Sequence, residues 1–228
     1  MNKKEPIIIS LGGSIIAPDG VDVVFMKSFI ETIKEYVERG FYFVIITGGG
    51  KVSRDYNNAI KQILTPTNID LDLIGIASTR LNAEFVRVCF GYLAHHNIIL
   101  DPENIPEYDK PIILGGGWKP GNSSDLAAIY CARSLDAKKI INLSNIDYVY
   151  DKNPREYTDA LPIENISWAD FRNILPKDWD PGANVPFDPI AAREAESLGY
   201  EVAIMNGKNI NNLKDYLDGK SFIGTVIK

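Results

Sequence analysis

The sequence predicts an α/β fold, a three-layer α/β/α sandwich with a mostly parallel central sheet, and three observations carry that prediction. Apolar β-like runs alternate with segments of helical periodicity along most of the chain, as parallel strands joined by crossover helices require. Three of those runs end in glycine: Ile7–Leu11 before Gly12-Gly13-Ser14, Phe43–Thr47 before Gly48-Gly49-Gly50-Lys51, and Ile112-Ile113-Leu114 before Gly115-Gly116-Gly117. Hydrophobic residues make up 45% and charged residues 24% of 228, the balance of a globular chain long enough to bury a full core.

The elements follow in order. After the first strand, Val24, Phe25, Phe29, Ile33, Tyr36 and Val37 recur at spacings of three and four, which predicts an amphipathic helix over 22–39 ended by Gly40. A strand is expected over 41–47 and a helix over 51–64, stopped by Thr65-Pro66. A long helix over 71–95 carries Ile74, Ile76, Leu81, Phe85, Val88 and Leu93, with His95-His96 at its solvent-exposed end. Short strands follow at 98–100 and 111–114, then an alanine-rich helix over 123–134 and a strand over 139–143 that opens onto a loop at 145–151. The stretch 152–189 is broken by six prolines, with Trp168 and Trp179 among polar residues, and reads as a lid or insertion. A helix Pro189–Leu198, a strand 201–205, a helix Ile210–Leu217 and a last strand near 224–227 resume the pattern. The whole, 1–228, reads as one domain.

Net charge −6 and a pI near 5.0 argue against bulk nucleic-acid binding, so any anion site must be local. Cys89 and Cys131 sit in helix-like apolar surroundings without metal-ligand spacing, which predicts buried reduced thiols and no protein-held metal. The apolar run after Lys3-Lys4 is too short for a signal peptide or a membrane span, so a cytoplasmic protein is expected.

Glycine-rich strand ends let backbone N–H groups close around phosphate oxygens, because a residue without Cβ permits close approach. The alternative is three ordinary strand-to-helix turns. The loop at Gly48 nearly meets the dinucleotide fingerprint, but Ser53 stands at its third glycine and neither Asp70 nor Asp72 ends a second strand. A Walker A loop is excluded by Val52 after the lysine and Ile45 at the first glycine. Protein-kinase signatures are absent.

Taken in order, the motifs resemble the amino acid kinase superfamily and, within it, the uridylate kinases of the archaeal type. The resemblance rests on Leu11-Gly12-Gly13-Ser14, Gly48-Gly49-Gly50-Lys51 with Arg54, Asp72-Leu73-Ile74-Gly75-Ile76 with Thr79-Arg80, Pro120-Gly121-Asn122-Ser123-Ser124-Asp125, Asn145-Ile146-Asp147 with Val149-Tyr150, and Phe187-Asp188-Pro189. It covers nearly the whole chain. It implies transfer of the γ-phosphoryl of ATP to UMP, with Mg²⁺ accompanying ATP, and a homo-oligomer, a hexamer as a trimer of dimers. Residues 1–135 would form mainly the acceptor lobe and 136–228 mainly the ATP lobe. On this likeness Gly12, Gly13, Ser14, Gly50, Arg54, Ser144, Asn145, Tyr150 and Asn153 would meet ATP. UMP would meet Gly48, Gly49, Arg54, Asp72, Trp118, Lys119, Pro120, Gly121, Asn122, Ser123 and Ser124.

Physical chemistry reads the same residues compatibly. Phosphoryl transfer asks a protein to align two polyanions and offset their charge. Arg54 follows the glycines by one helical turn, so its planar fork can reach the same anion, and a solvated helix charge is the alternative. Asp125 would orient a cation near the transferred group, or else is an acid favoured at a helix start. Asp72 would bind the acceptor's sugar or base, or else cap a helix. Many relatives carry a lysine where this chain has Ser10, which makes Lys51 the nearest stand-in cation, with Lys119 as another. Two other functions stay open: a kinase of the same superfamily acting on isopentenyl phosphate, carbamate or an amino acid, and a nucleotide- or oxyanion-binding protein without turnover.

Overall fold

The computed structural model describes residues 5–154, 156–176 and 185–228. Strand β1 (Ile7–Leu11) is followed by the short helix α1 (Gly13–Ile16), α2 (Val23–Glu38), β2 (Phe43–Thr47), α3 (Gly50–Ile63), α4 (Asn68–Phe90), β3 (Ile112–Gly115), α5 (Ser124–Ser134) and β4 (Lys139–Ser144). Then come the hairpin strands β5 (Val149–Tyr150) and β6 (Pro162–Ile163), β7 (Asn165–Ile166), α6 (Trp168–Ile174), α7 (Pro189–Leu198), β8 (Glu201–Asn206), α8 (Ile210–Leu217) and β9 (Thr225–Ile227). The main sheet has the order β3-β2-β1-β4-β8-β9-β7 and is parallel except where β9 meets β8.

Strand alternation splits the core into two layers, as the period of two demands. On one face Ile8, Val44, Ile46, Ile140, Val202 and Ile204 lie under Leu126, Ile129, Trp168, Phe171 and the alanines of α7. On the other, Ile9, Leu11, Phe43, Ile45, Ile141, Leu143 and Met205 lie under Phe25, Phe29, Ile33, Val86, Phe90 and Leu213. The three-layer α/β/α sandwich predicted above is what forms.

Three expectations change in detail. The long helix starts earlier, at Asn68, because Thr67 and Asp70 form a capping box, and it ends at Phe90, where Gly91 turns to φ 60°. His95 is therefore not an exposed helix end: it is buried beyond the helix, its Nδ1 3.1 Å from the Asn97 carbonyl. The expected strand at 98–100 reduces to an isolated pairing of Ile99 with Gly115. Part of the proline-rich stretch 152–189 belongs to the body. Trp168 and Phe171 of α6 enter the core, the Trp168 indole N–H donates to the Tyr200 carbonyl at 2.8 Å, and β7 extends the main sheet. Trp179 and Pro181 lie outside the described residues.

The chain order β1, β2, β3 runs outward on one side of β1, while β4 and β8 run outward on the other. Between β1 and β4 the order therefore reverses, which is where the loops at the carboxyl ends of parallel strands separate and leave a crevice. Beside it the loops after β1 and β2 meet backbone to backbone. A Cβ built on Gly13 would stand 2.2 Å from the Gly50 nitrogen, and one on Gly50 2.3 Å from the Gly13 carbonyl oxygen, with Gly50 at φ 64°. Neither backbone can yield without moving its strand. We expect Gly13→Ala to cost more than about 3 kcal/mol in urea unfolding, against about 1–2 kcal/mol for Gly91→Ala, whose Cβ would meet open space. Equal losses would show that the loop contact is not tight.

Candidate active site

The crevice is a cleft of about 260 Å³ walled by the loops after β1 and β2, the start of α5, the end of β4 and the start of α7. Helices α1 and α3 both begin on it, and neither has a side-chain cap, so no side chain of its N-cap residue takes up the N–H groups at its start. Positive partial charge at such helix starts favours an anion.

Asp125 is the polar centre of the floor. Ser10 on β1 and Asn142 on β4 are register partners, side by side under α5. The Ser10 hydroxyl and the Asn142 amide donate to Asp125 Oδ1 at 2.8 and 2.9 Å, and the Asp188 backbone N–H approaches Oδ2 at 3.3 Å. Asp188, which caps α7 through the Ile190 N–H, accepts a very short bond from the Ser123 hydroxyl. Burial pushes the Asp125 carboxyl up to about 6 against the pull of the Ser10 hydrogen bond, and the neighbouring Asp188 charge adds to the rise. Asp188 is raised too, chiefly by burial.

Of the residues expected at the site, Ser10, Gly12, Gly13, Ser14, Gly48, Gly49, Gly50, Arg54, Asp72, Asn122, Ser123, Ser124, Asp125, Ser144 and Asn145 all line this cleft. Arg54 is the only cationic side chain among them and makes no ion pair among the described residues. Tyr150 and Asn153 line an adjoining cavity of about 620 Å³ that shares Ser144, Asn145, Val185 and Pro186 with the cleft. Lys51 is not brought in: its ammonium pairs with Asp55 at 2.7 Å and lies 3.6 Å from Asp19. Trp118, Lys119, Pro120 and Gly121 stand outside the lining. The Lys119 ammonium lies 3.5 Å from the centre of the Trp118 ring, which meets Tyr130 edge-on. The Gly121 N–H donates to Asp72 Oδ2 at 2.7 Å, so Asp72 caps no helix but ties this loop to α4.

The third glycine cluster serves packing more than phosphate. A Cβ on Gly115 or Gly116 would meet Ile46 or Thr79 within 3 Å, and only Gly117 lines the cleft, its N–H donating to Thr79 Oγ1. Sequence reasoning missed Asn142 and Asn57, both of which line the cleft. Asn142 could have been found as a polar residue breaking the apolar run of β4, on the face shared with Ser10.

Comparison with known proteins gives one consistent result. A model of the amino acid kinase family matches residues 5–206. The chain is similar to a uridylate kinase of Thermoplasma volcanium, 32% identical over 98% of both chains, and to one of Methanobrevibacter smithii, 30% identical over 97% of this chain and 98% of the relative. Its fold superposes on the solved structure of a uridylate kinase from Archaeoglobus fulgidus with a TM-score of 0.82 and 26% identity, covering 98% of this chain and 100% of that one.

The Asp125 environment predicts a pH dependence. A carboxyl raised from 3.8 to about 6 binds its proton more tightly in the folded state, so its stabilising contribution is full below about pH 3.8 and is lost as pH rises through 6. Asp125→Asn cannot ionise. In the ligand-free protein it should gain about 2–3 kcal/mol on the unsubstituted chain between pH 4 and pH 7, read from urea midpoints. A constant difference across that range would contradict the burial of this charge.

Proposed function

This chain belongs to the amino acid kinase family, among its uridylate kinases, and we propose that it transfers the γ-phosphoryl group of ATP to UMP, giving ADP and UDP. The observation that carries this reading is the single cleft at the reversal of strand order, where two uncapped helix starts meet side by side and Arg54 joins them in a lining rich in polar groups. Two phosphate-bearing substrates approaching from opposite ends would meet there. The β1 loop, Gly12 to Ser14, would hold the donor phosphates, while Ser144 and Asn145 lead its nucleoside into the cavity at Tyr150 and Asn153. Gly48 to Gly50 and Arg54 would hold the acceptor phosphate. Asp72 and the stretch Asn122 to Ser124 would flank its sugar and base.

The chain's own groups position rather than react. Asp125, fixed by donors from three elements, would set the geometry at the meeting point of the two substrates. Ser10 stands where many relatives carry a cation: its hydroxyl is neutral and donates to Asp125. The described lining holds three carboxylates, Asp72, Asp125 and Asp188, against one guanidinium. That excess of negative charge favours a cation arriving with the nucleotide, and Asp125 and Asp188 are the carboxylates that would face Mg²⁺. When bound, Mg²⁺ would offset the charge of the β- and γ-phosphates. Among the described residues no helix is long and apolar enough to cross a membrane. A cytoplasmic homo-oligomer, a hexamer as a trimer of dimers, supplying pyrimidine nucleotides completes the proposal. The exposed Leu73, Leu81 and Val88, within one face of α4, offer it a contact surface.

A coupled ADP-release assay with Mg-ATP against UMP, CMP, dUMP, isopentenyl phosphate, carbamate and glutamate derivatives tests the assignment. UMP should be the best acceptor, and a tenfold preference for a non-nucleotide would overturn it. Arg54→Ala should raise KM for UMP at least tenfold and KM for ATP less, since a charge-assisted contact is worth about 1.5–3 kcal/mol. Lys51→Met should leave kcat within threefold, because its ammonium is held outside the cleft. A large loss there would return Lys51 to the catalytic group.

A further inference from the structure

Asn57 lies on α3 one turn beyond Arg54 and lines the same cleft. Its Nδ2 donates to the Leu71 carbonyl on α4 at 3.3 Å, a long bond. That carbonyl can only accept, so it fixes which end of the amide is which. Oδ1 is the end left over. It is the one buried side-chain polar atom among the described residues without a hydrogen-bond partner. A buried acceptor lacking a donor costs about 1–3 kcal/mol, and folded proteins carry few of them. Asp70 and Asp72, which flank Leu71 in sequence, both carry carboxylates that accept. No described residue donates to it, which leaves the place open to a donor on a bound molecule.

Its position says which donor. With the acceptor phosphate at the start of α3, Asn57 lies seven residues past Gly50, about 10 Å along the helix axis. That distance is comparable with the length of a nucleoside monophosphate from phosphate to base. Leu71 and Ile76 make the wall beside it apolar, as a flat ring would require.

We propose that Asn57 selects the acceptor base: Oδ1 accepts the N3–H of uracil while Nδ2 stays on the Leu71 carbonyl. Cytosine carries a lone pair at N3, so two acceptors would face each other and both would remain unpaired. A site built around one hydrogen bond rejects an analogue lacking it more strongly than apolar contact can. The inference rests on the reading of the chain as a UMP-phosphorylating kinase and adds the determinant of its base preference.

The experiment is steady-state kinetics at saturating Mg-ATP with UMP, CMP, dUMP and N3-methyl-UMP, for the unsubstituted chain and for Asn57→Ala, with melting curves of both. The substitution removes an orphaned acceptor from a helix with no buried residue, so melting temperature should hold or rise. Asn57→Ala should raise KM for UMP and dUMP at least tenfold, leave kcat and the KM for CMP essentially unchanged, and so lower the preference for UMP over CMP at least tenfold. N3-methyl-UMP should be at least tenfold poorer than UMP with the unsubstituted chain, an arm that needs no variant. An unchanged UMP-to-CMP preference, or equal use of UMP and its N3-methyl form, would overturn the proposal. A loss for UMP but not dUMP would assign Oδ1 to the 2′-hydroxyl and overturn it too. No turnover of UMP by the unsubstituted chain would defeat the kinase reading and this inference together, whereas turnover with unchanged preference defeats this inference alone.

Discussion

The contact of Gly13 with Gly50 is the constraint on which the site depends. Any side chain there would separate two backbones that now touch, since the missing Cβ atoms would lie 2.2 and 2.3 Å from main-chain atoms of the opposite loop. The contact brings the start of α1 and the start of α3 to one place. Helix α3 has no buried residue of its own, so its position rests on this loop contact and on its packing along α4. Arg54 and Asn57 face the cleft because α3 is held in that position.

Asp125 is the second fixed point, and it works differently. Where the glycines bring elements together by leaving atoms out, Asp125 joins β1, β4 and the start of α7 to α5 through hydrogen bonds to Ser10, Asn142 and the Asp188 N–H. The same burial that makes these bonds strong raises the carboxyl toward 6 and makes its charge costly in the empty protein. A cation arriving with the nucleotide would relieve that cost. The serine at position 10 fits this arrangement: it supplies a donor to the carboxylate in a floor that holds no cation.

Much of the fold was legible because its causes are local. Near-continuous apolar runs in β1, β2 and β4 and three- and four-residue spacing in α2 are properties of short windows, and the helices Pro189–Leu198 and Ile210–Leu217 form at their expected bounds. What was not legible is decided by distant partners. Trp168 looks polar in its own neighbourhood and is buried by β8 and α7, far along the chain. Gly115 and Gly116 look like a phosphate loop but are small because Ile46 and α4 press against them. Lys51 stands at the right sequence distance for a phosphate, yet Asp55, one turn on, and Asp19 hold it elsewhere. Asn57 gives no signal at all in sequence, because only the tertiary placement of Leu71 leaves its oxygen unpartnered.

The two walls of the cleft therefore differ in what a substitution costs. Ser10, Gly13, Leu143 and Asp125 belong to strands and helices of the buried body, so changing them disturbs packing and buried hydrogen bonds together with ligand contacts. Arg54 and Asn57 sit on a helix that contributes nothing to the core. A change there alters what the cleft binds at little expense to the fold. The floor around Asp125 is thus tied to the stability of the sheet, whereas Arg54 and Asn57 stand on a peripheral helix whose contacts with a ligand can vary at less cost to the fold.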